Sequence, residues 1–135
     1  MRLAHLRSLV LDLGEASGVV LRVRERTRQF LDHVPDAPPS AEAVRDVVMV
    51  VSELVANAYR HATGPRRLTL TADDETITVA VEDGRPDGLT PLPTAPASGG
   101  FGLLVIRRLC RDVDVHPVPG GKRVIATVPR QPNGR

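Results

Sequence analysis

Glu53 and Asn57, one helical turn apart, are the first residues of this chain whose types and spacing could do chemistry. At about 100° per residue they stack on one polar stripe with Asp46 and Arg60, beside an apolar arc of Val47, Val51, Leu54, Val55, Ala58 and Ala62. A carboxylate so placed can orient or deprotonate an attacking hydroxyl or water. The amide oxygen is a hard ligand that can help hold a Mg²⁺ also bound to phosphates. A second candidate is Asp83, which ends the period-two face Ile77, Val79, Val81 where another apolar residue would fit, so its carboxylate is expected to point inward. A buried carboxylate must find a donor, and the exocyclic amine of a purine, with water beside it, would supply one. The third is Ser98-Gly99-Gly100-Phe101-Gly102, which runs directly into an expected helix from Leu103 to Leu109. Glycines let backbone amides approach a ligand closely, and a helix N-terminus offers free N–H groups to a phosphate.

Each motif also has a plainer reading. A Glu and an Asn four residues apart are common on solvated helix faces, Asp83-Gly84 is a common turn dipeptide, and a glycine run before a helix is often only a turn. The glycine run is not a P-loop, because no Gly-Lys-Ser/Thr follows. Nor is it the dinucleotide fingerprint, because Val105 occupies the third glycine position. His61 reads as a surface histidine near a helix end and Cys110 as core filling. Ser8, Ser17 and Ser52 have no histidine and acid at nucleophile spacing, so no hydrolase signature is present.

The elements that must position these residues follow from periodicity and breakers. His5 to Leu13 alternates loosely, as an edge strand would, and Val19, Val23, Phe30 and Leu31 mark an amphipathic helix over 19–34 that Pro35 ends. Ser40 stands as N-cap of a long helix to Ala62, stopped by Gly64 and Pro65. Strands are expected at 67–72 and 76–83, joined by Asp73-Asp74-Glu75 as a hairpin. The proline-rich stretch between Gly84 and Gly100 is a long loop, of the kind that is usually a functional lid or disordered. A helix over 101–111 and strands at 113–117 and 123–128, turning at Gly120-Gly121, complete the fold. The sum is an α/β (α+β) two-layer sandwich, a mixed, mostly antiparallel sheet with helices on one face. Residues 1–129 form one domain and 130–135 a frayed, flexible tail.

With 135 residues, 41% of them apolar, the chain can bury one core of ordinary size. A formal charge of only +2 and three scattered aromatics, Phe30, Tyr59 and Phe101, argue against nucleic acid as a partner. One cysteine excludes an intramolecular disulfide and two-cysteine metal motifs, and suits a reducing compartment. No secretory pattern opens the chain and no run reaches the roughly 18 apolar residues of a membrane helix, so a cytoplasmic protein without a membrane partner is expected.

Taken in order, Glu53-Leu54-Val55-Ala56-Asn57-Ala58-Tyr59-Arg60-His61-Ala62, Val81-Glu82-Asp83-Gly84 and Gly99-Gly100-Phe101-Gly102-Leu103 resemble the three nucleotide-binding boxes of the gyrase, Hsp90, histidine-kinase and MutL (GHKL) ATPase superfamily. The short chain and the early helix with Val23, Arg26 and Phe30 look most like bacterial anti-sigma-factor serine/threonine kinases, over roughly residues 16–129. The resemblance implies the Bergerat (HATPase) fold with ATP and Mg²⁺ as cofactors. Glu53 would be the general base and Asn57 the Mg²⁺ ligand. Asp83 would recognise the adenine amine, with Gly84 and Gly88 shaping the wall around it. Leu89 to Ser98 would be the ATP lid, and Gly100, Phe101, Gly102 and Leu103 would form the phosphate-cradling turn. The partners implied are a sigma factor, which the ATP-loaded protein sequesters, and an anti-anti-sigma (STAS-type) protein, which it phosphorylates. An exposed early helix permits a homodimer without requiring one.

Two positions depart from the resemblance. Phe101 stands where many relatives have arginine, so that phosphate contact is either missing or supplied by Arg107 or Arg108. Asp83-Gly84-Arg85-Pro86-Asp87-Gly88 lacks the tight Asp-x-Gly-x-Gly spacing. The alternatives are a noncatalytic, nucleotide-gated or nucleotide-free protein-binding module of the same fold, and the catalytic piece of a two-component histidine kinase. The second is disfavoured because residues 1–40 leave no room for a phosphoacceptor helix pair.

Overall fold

The computed structural model describes residues 6–35, 38–61, 64–84 and 101–131, the side chains of 61 and 101–103 excepted. Its elements run β1 (Arg7–Leu13), α1 (Val19–Asp32), α2 (Ala41–His61), β2 (Arg66–Ala72), β3 (Thr76–Asp83), α3 (Phe101–Leu109), β4 (Asp112–Val118) and β5 (Gly121–Pro129). The strands form one sheet in the order β1-β2-β3-β5-β4. All four pairings are antiparallel, so among the described residues the sheet is wholly antiparallel where a mixed one was allowed for.

Alternation decides which face of the sheet is covered. Leu68, Leu70 and Ala72 of β2, Ile77, Val79 and Val81 of β3, and Val124, Ala126 and Val128 of β5 are buried under the helices. The residues between them form the opposite face, which carries the cross-strand pairs Asp12–Arg67 and Glu82–Arg123. α2 is the central helix, packed on β3 and β5 and flanked by α1 and α3. Its expected arc of Val47, Val51, Leu54, Val55 and Ala58 is buried, and the flanking helices widen it to take in Val48 and Val50. Each buried valine or leucine here contributes about 1.5–3 kcal/mol, so this helix anchors whatever its polar edge carries. Ser40 caps it, the hydroxyl accepting from Ala43 N–H at 3.0 Å. Gly120, at φ 77°, supplies the left-handed residue of the β4–β5 turn.

The expected frayed tail does not begin at Arg130. That side chain is buried, donating to the carbonyl oxygens of Asp73 and Pro35, while its backbone N–H donates to Glu75 O at 2.9 Å. The β2–β3 turn and the α1 exit thus hold the chain one residue beyond β5. Among the described residues no helix is long and apolar enough to cross a membrane.

Candidate functional site

The polar stripe of α2 runs along the edge that faces α3. Asp46 lies close enough to Cys110, just after α3, to act on its titration. Burial first, and Asp46 second, push that thiol up to about 11. Asp46 is itself half-buried, its carboxyl raised by burial and by Glu42 against the opposing Arg45. Glu53 and Asn57 lie about two and three turns further along the same edge, both half-buried. Exposed Arg60, one turn beyond, donates from Nη2 to the Asn57 amide oxygen at 2.6 Å.

Asp83 closes β3, the middle strand, on the face beneath the helices. Its residue is 5% exposed, which rules out the plain turn aspartate and places the carboxylate in the core wall. Lys122, its register partner on β5, donates from Nζ to Oδ2 at 2.7 Å, and the two side chains are 8% and 2% exposed. Oδ1 is buried and accepts no hydrogen bond from the described residues. An orphaned buried carboxylate oxygen is costly and calls for a donor, as a purine amine would provide. The residues present therefore fit a nucleobase at this point.

Lys122 was missed because the last strand was expected to begin at Arg123. Extending the period-two face Val128, Ala126, Val124 by one more step would have found it.

What brings Asp83 next to α2 is a close junction of two chain exits. A Cβ on Gly84 would lie 2.8 Å from Pro65 Cδ and 3.1 Å from Pro65 N, and one on Gly64 would lie 2.9 Å from Gly84 O. The segments leaving α2 and β3 are thus in backbone contact, and no side chain fits between them. Arg66, opposite Asp83 on β2, secures the junction: Nε donates to Ala58 O at 3.1 Å, Nη1 to Gly64 O at 3.2 Å, and the guanidinium lies 4.0 Å from the Tyr59 ring centroid. Tyr59 in turn donates its hydroxyl to Gly14 O.

Glu53, Asn57, Asp83 and Gly84 are thereby gathered on α2 and the adjoining end of β3. Phe101, Gly102 and Leu103 form the first turn of α3, the helix beside α2. Gly88, Gly100 and the expected lid over Leu89 to Ser98 lie outside the described residues. Arg107 and Arg108 are exposed in the last turn of α3, some 9–10 Å of helix rise beyond its start. Among the described residues no cluster of three or more His, Cys, Asp and Glu could hold a metal ion, so a Mg²⁺ here would depend on Asn57 and on phosphate oxygens. A groove of about 320 Å³ between β1 and α1, lined by Leu11, Leu13, Arg22 and Arg26 among others, is at the sheet edge two strands from Asp83.

Comparison with known proteins agrees with this fold. No curated protein matches the chain. Among solved structures, it is similar to the RsbU and RsbW domains of Rv1364c from Mycobacterium tuberculosis, with a TM-score of 0.66 at 20% identity, covering 90% of this chain and 32% of that one. This chain thus spans about a third of that structure, and the likeness is one of fold. A histidine kinase domain of the blue-light activated kinase EL346 from Erythrobacter litoralis matches with a TM-score of 0.49 at 18% identity, over 83% of this chain and 59% of that one. A family model described as the histidine kinase-like ATPase domain matches residues 18–128, and the chain belongs to that family of ATP-binding domains.

Proposed function

We propose that this protein is an ATP-dependent serine/threonine kinase of the anti-sigma type, which sequesters a sigma factor and phosphorylates an anti-anti-sigma partner of the STAS kind. The observation that carries the reading is the orphaned Oδ1 of Asp83, buried in the wall of the sheet beside the helix that bears Glu53 and Asn57. In this reading Asp83 accepts the adenine amine, and Gly84, packed against Pro65, holds that end of β3 beside α2. Asn57 would hold Mg²⁺ through the amide oxygen that Arg60 now bonds, and the first turn of α3 (Phe101, Gly102, Leu103) would offer backbone N–H groups to the phosphates. ATP with Mg²⁺ supplies the phosphoryl group and neutralises its charge. Glu53, on the same edge of α2, accepts the proton of the attacking serine hydroxyl.

A noncatalytic, nucleotide-gated binding module of the same fold is the second reading. It is favoured by Phe101 at the arginine position and by the Arg60 guanidinium that already occupies the Asn57 oxygen. Calorimetric titration with ATP and ADP, with and without Mg²⁺, tests both. Saturable binding that Asp83→Asn removes, and that needs Mg²⁺ through Asn57, supports a nucleotide site. No binding at millimolar nucleotide refutes it. Given binding, Glu53→Ala then separates the readings: loss of phosphoryl transfer with partner binding kept marks the kinase, and no transfer in either protein marks the module.

A further inference from the structure

The Asp83–Lys122 pair bears on which base the site accepts. A carboxylate with both oxygens free can take two parallel donors, and the guanine edge offers such a pair in N1–H and the exocyclic N2–H₂. The adenine edge offers a single donor group, its exocyclic amine. Lys122 Nζ holds Oδ2 at 2.7 Å, and with both side chains almost wholly buried the bond is not opened by solvent. Oδ2 is thus partly spent on the ammonium, whereas Oδ1 accepts nothing from the described residues.

From this geometry we infer that Lys122 is a specificity-determining residue: by committing Oδ2 to its ammonium it weakens that oxygen as an acceptor and leaves Oδ1 as the better one, and so selects the single amine donor of adenine over the paired donors of guanine nucleotides. The inference rests on the ATP-binding reading and deepens it. Lys122 acts through Asp83 and is a positioning residue. A guanine base brought to Asp83 can place one N–H on Oδ1 but leaves the second donor facing an oxygen already bonded. A purine with no amine leaves Oδ1 buried and unsatisfied. A hydrogen bond to a charged acceptor corresponds to about tenfold to hundredfold in affinity, which sets the size of both penalties.

The test is calorimetric titration of the full chain with ATP, GTP and purine riboside triphosphate, for the wild type, Lys122→Met and Lys122→Ala, with circular dichroism confirming the fold of each. The wild type is expected to bind ATP at least about tenfold more tightly than either analogue. In either Lys122 variant the ATP-to-GTP preference is expected to fall at least about tenfold, as Oδ2 becomes free for the second guanine donor. A merely structural Lys122 would weaken all three nucleotides together and leave their ratios alone. An unchanged ATP-to-GTP ratio in a folded variant overturns the inference while leaving the nucleotide site intact. If neither variant folds, the wild-type ratios decide, since equal affinity for ATP and GTP overturns it without any variant. No nucleotide binding by the wild type refutes the underlying reading, and the inference with it.

Discussion

The buried Asp83–Lys122 pair allows a stability prediction worked from geometry. At 2.7 Å, with side chains 2% and 8% exposed, neither group can recover water if its partner is removed. Lys122→Met or Asp83→Leu then strands a charge in the core, which costs about 3–5 kcal/mol. Replacing both with apolar side chains strands nothing, so Asp83→Leu/Lys122→Met is expected within about 1–2 kcal/mol of wild type or more stable. The single costs therefore fail to add by several kcal/mol. The Asp12–Arg67 pair, equally short at 2.8 Å but 77% and 52% exposed, is the control, where Asp12→Ala costs well under about 1 kcal/mol. Urea denaturation reads all of these. With a slope of about 2 kcal/mol per molar, each buried single lowers the midpoint by about 2 M, which a domain of about 5–15 kcal/mol survives in most of that range. Additive single costs, or a buried single costing no more than the exposed control, would refute the reasoning.

The other expectations concern the junction, a turn and the thiol. Gly84→Ala places a Cβ 2.8 Å from Pro65 Cδ, so the backbone must shift, costing about 1–3 kcal/mol in urea melts and weakening any ligand held at Asp83. At Asp73, burial pushes the carboxyl up, but hydrogen bonds from the Thr76 and Glu75 N–H groups and the Thr76 hydroxyl, with the Arg130 charge, outweigh it and hold the group below its ordinary value. A folded-state value below the unfolded one means stability present above about pH 4 and lost as pH falls through the folded value. Asp73→Asn should flatten that part of the stability–pH curve, and an unchanged acid limb would count against the turn's role. Cys110, pushed up to about 11, should react with Ellman's reagent about a hundredfold more slowly in the folded protein at pH 8 than after denaturation. Comparable rates would show that the thiol is not shielded.

Much of this fold was readable along the chain because its signals are local. The hairpin of β2 and β3 is written in alternating apolar residues around Asp73-Asp74-Glu75, and α2 in a long apolar arc between Ser40 and Gly64-Pro65. Glu53 and Asn57 could be assigned to one stripe for the same reason, since helix geometry alone stacks residues four apart. Asp83 was legible as inward-facing from period two, although the sequence left open whether it was a turn residue.

Partners distant in sequence were not legible. Lys122 is 39 residues from the carboxylate it holds, and their meeting depends on the β3–β5 register, which the long connection through α3 and β4 does not dictate. Arg66 beneath Tyr59, and Arg130 across the turn at Asp73, likewise meet only because strands and helix exits converge. Periodicity determined each element and the face on which its polar residues stand. Tertiary packing alone decided which buried polar atoms are satisfied and that, among the described residues, Asp83 Oδ1 is left without a donor, because hydrogen-bond partnership depends on distance in space and not on spacing along the chain.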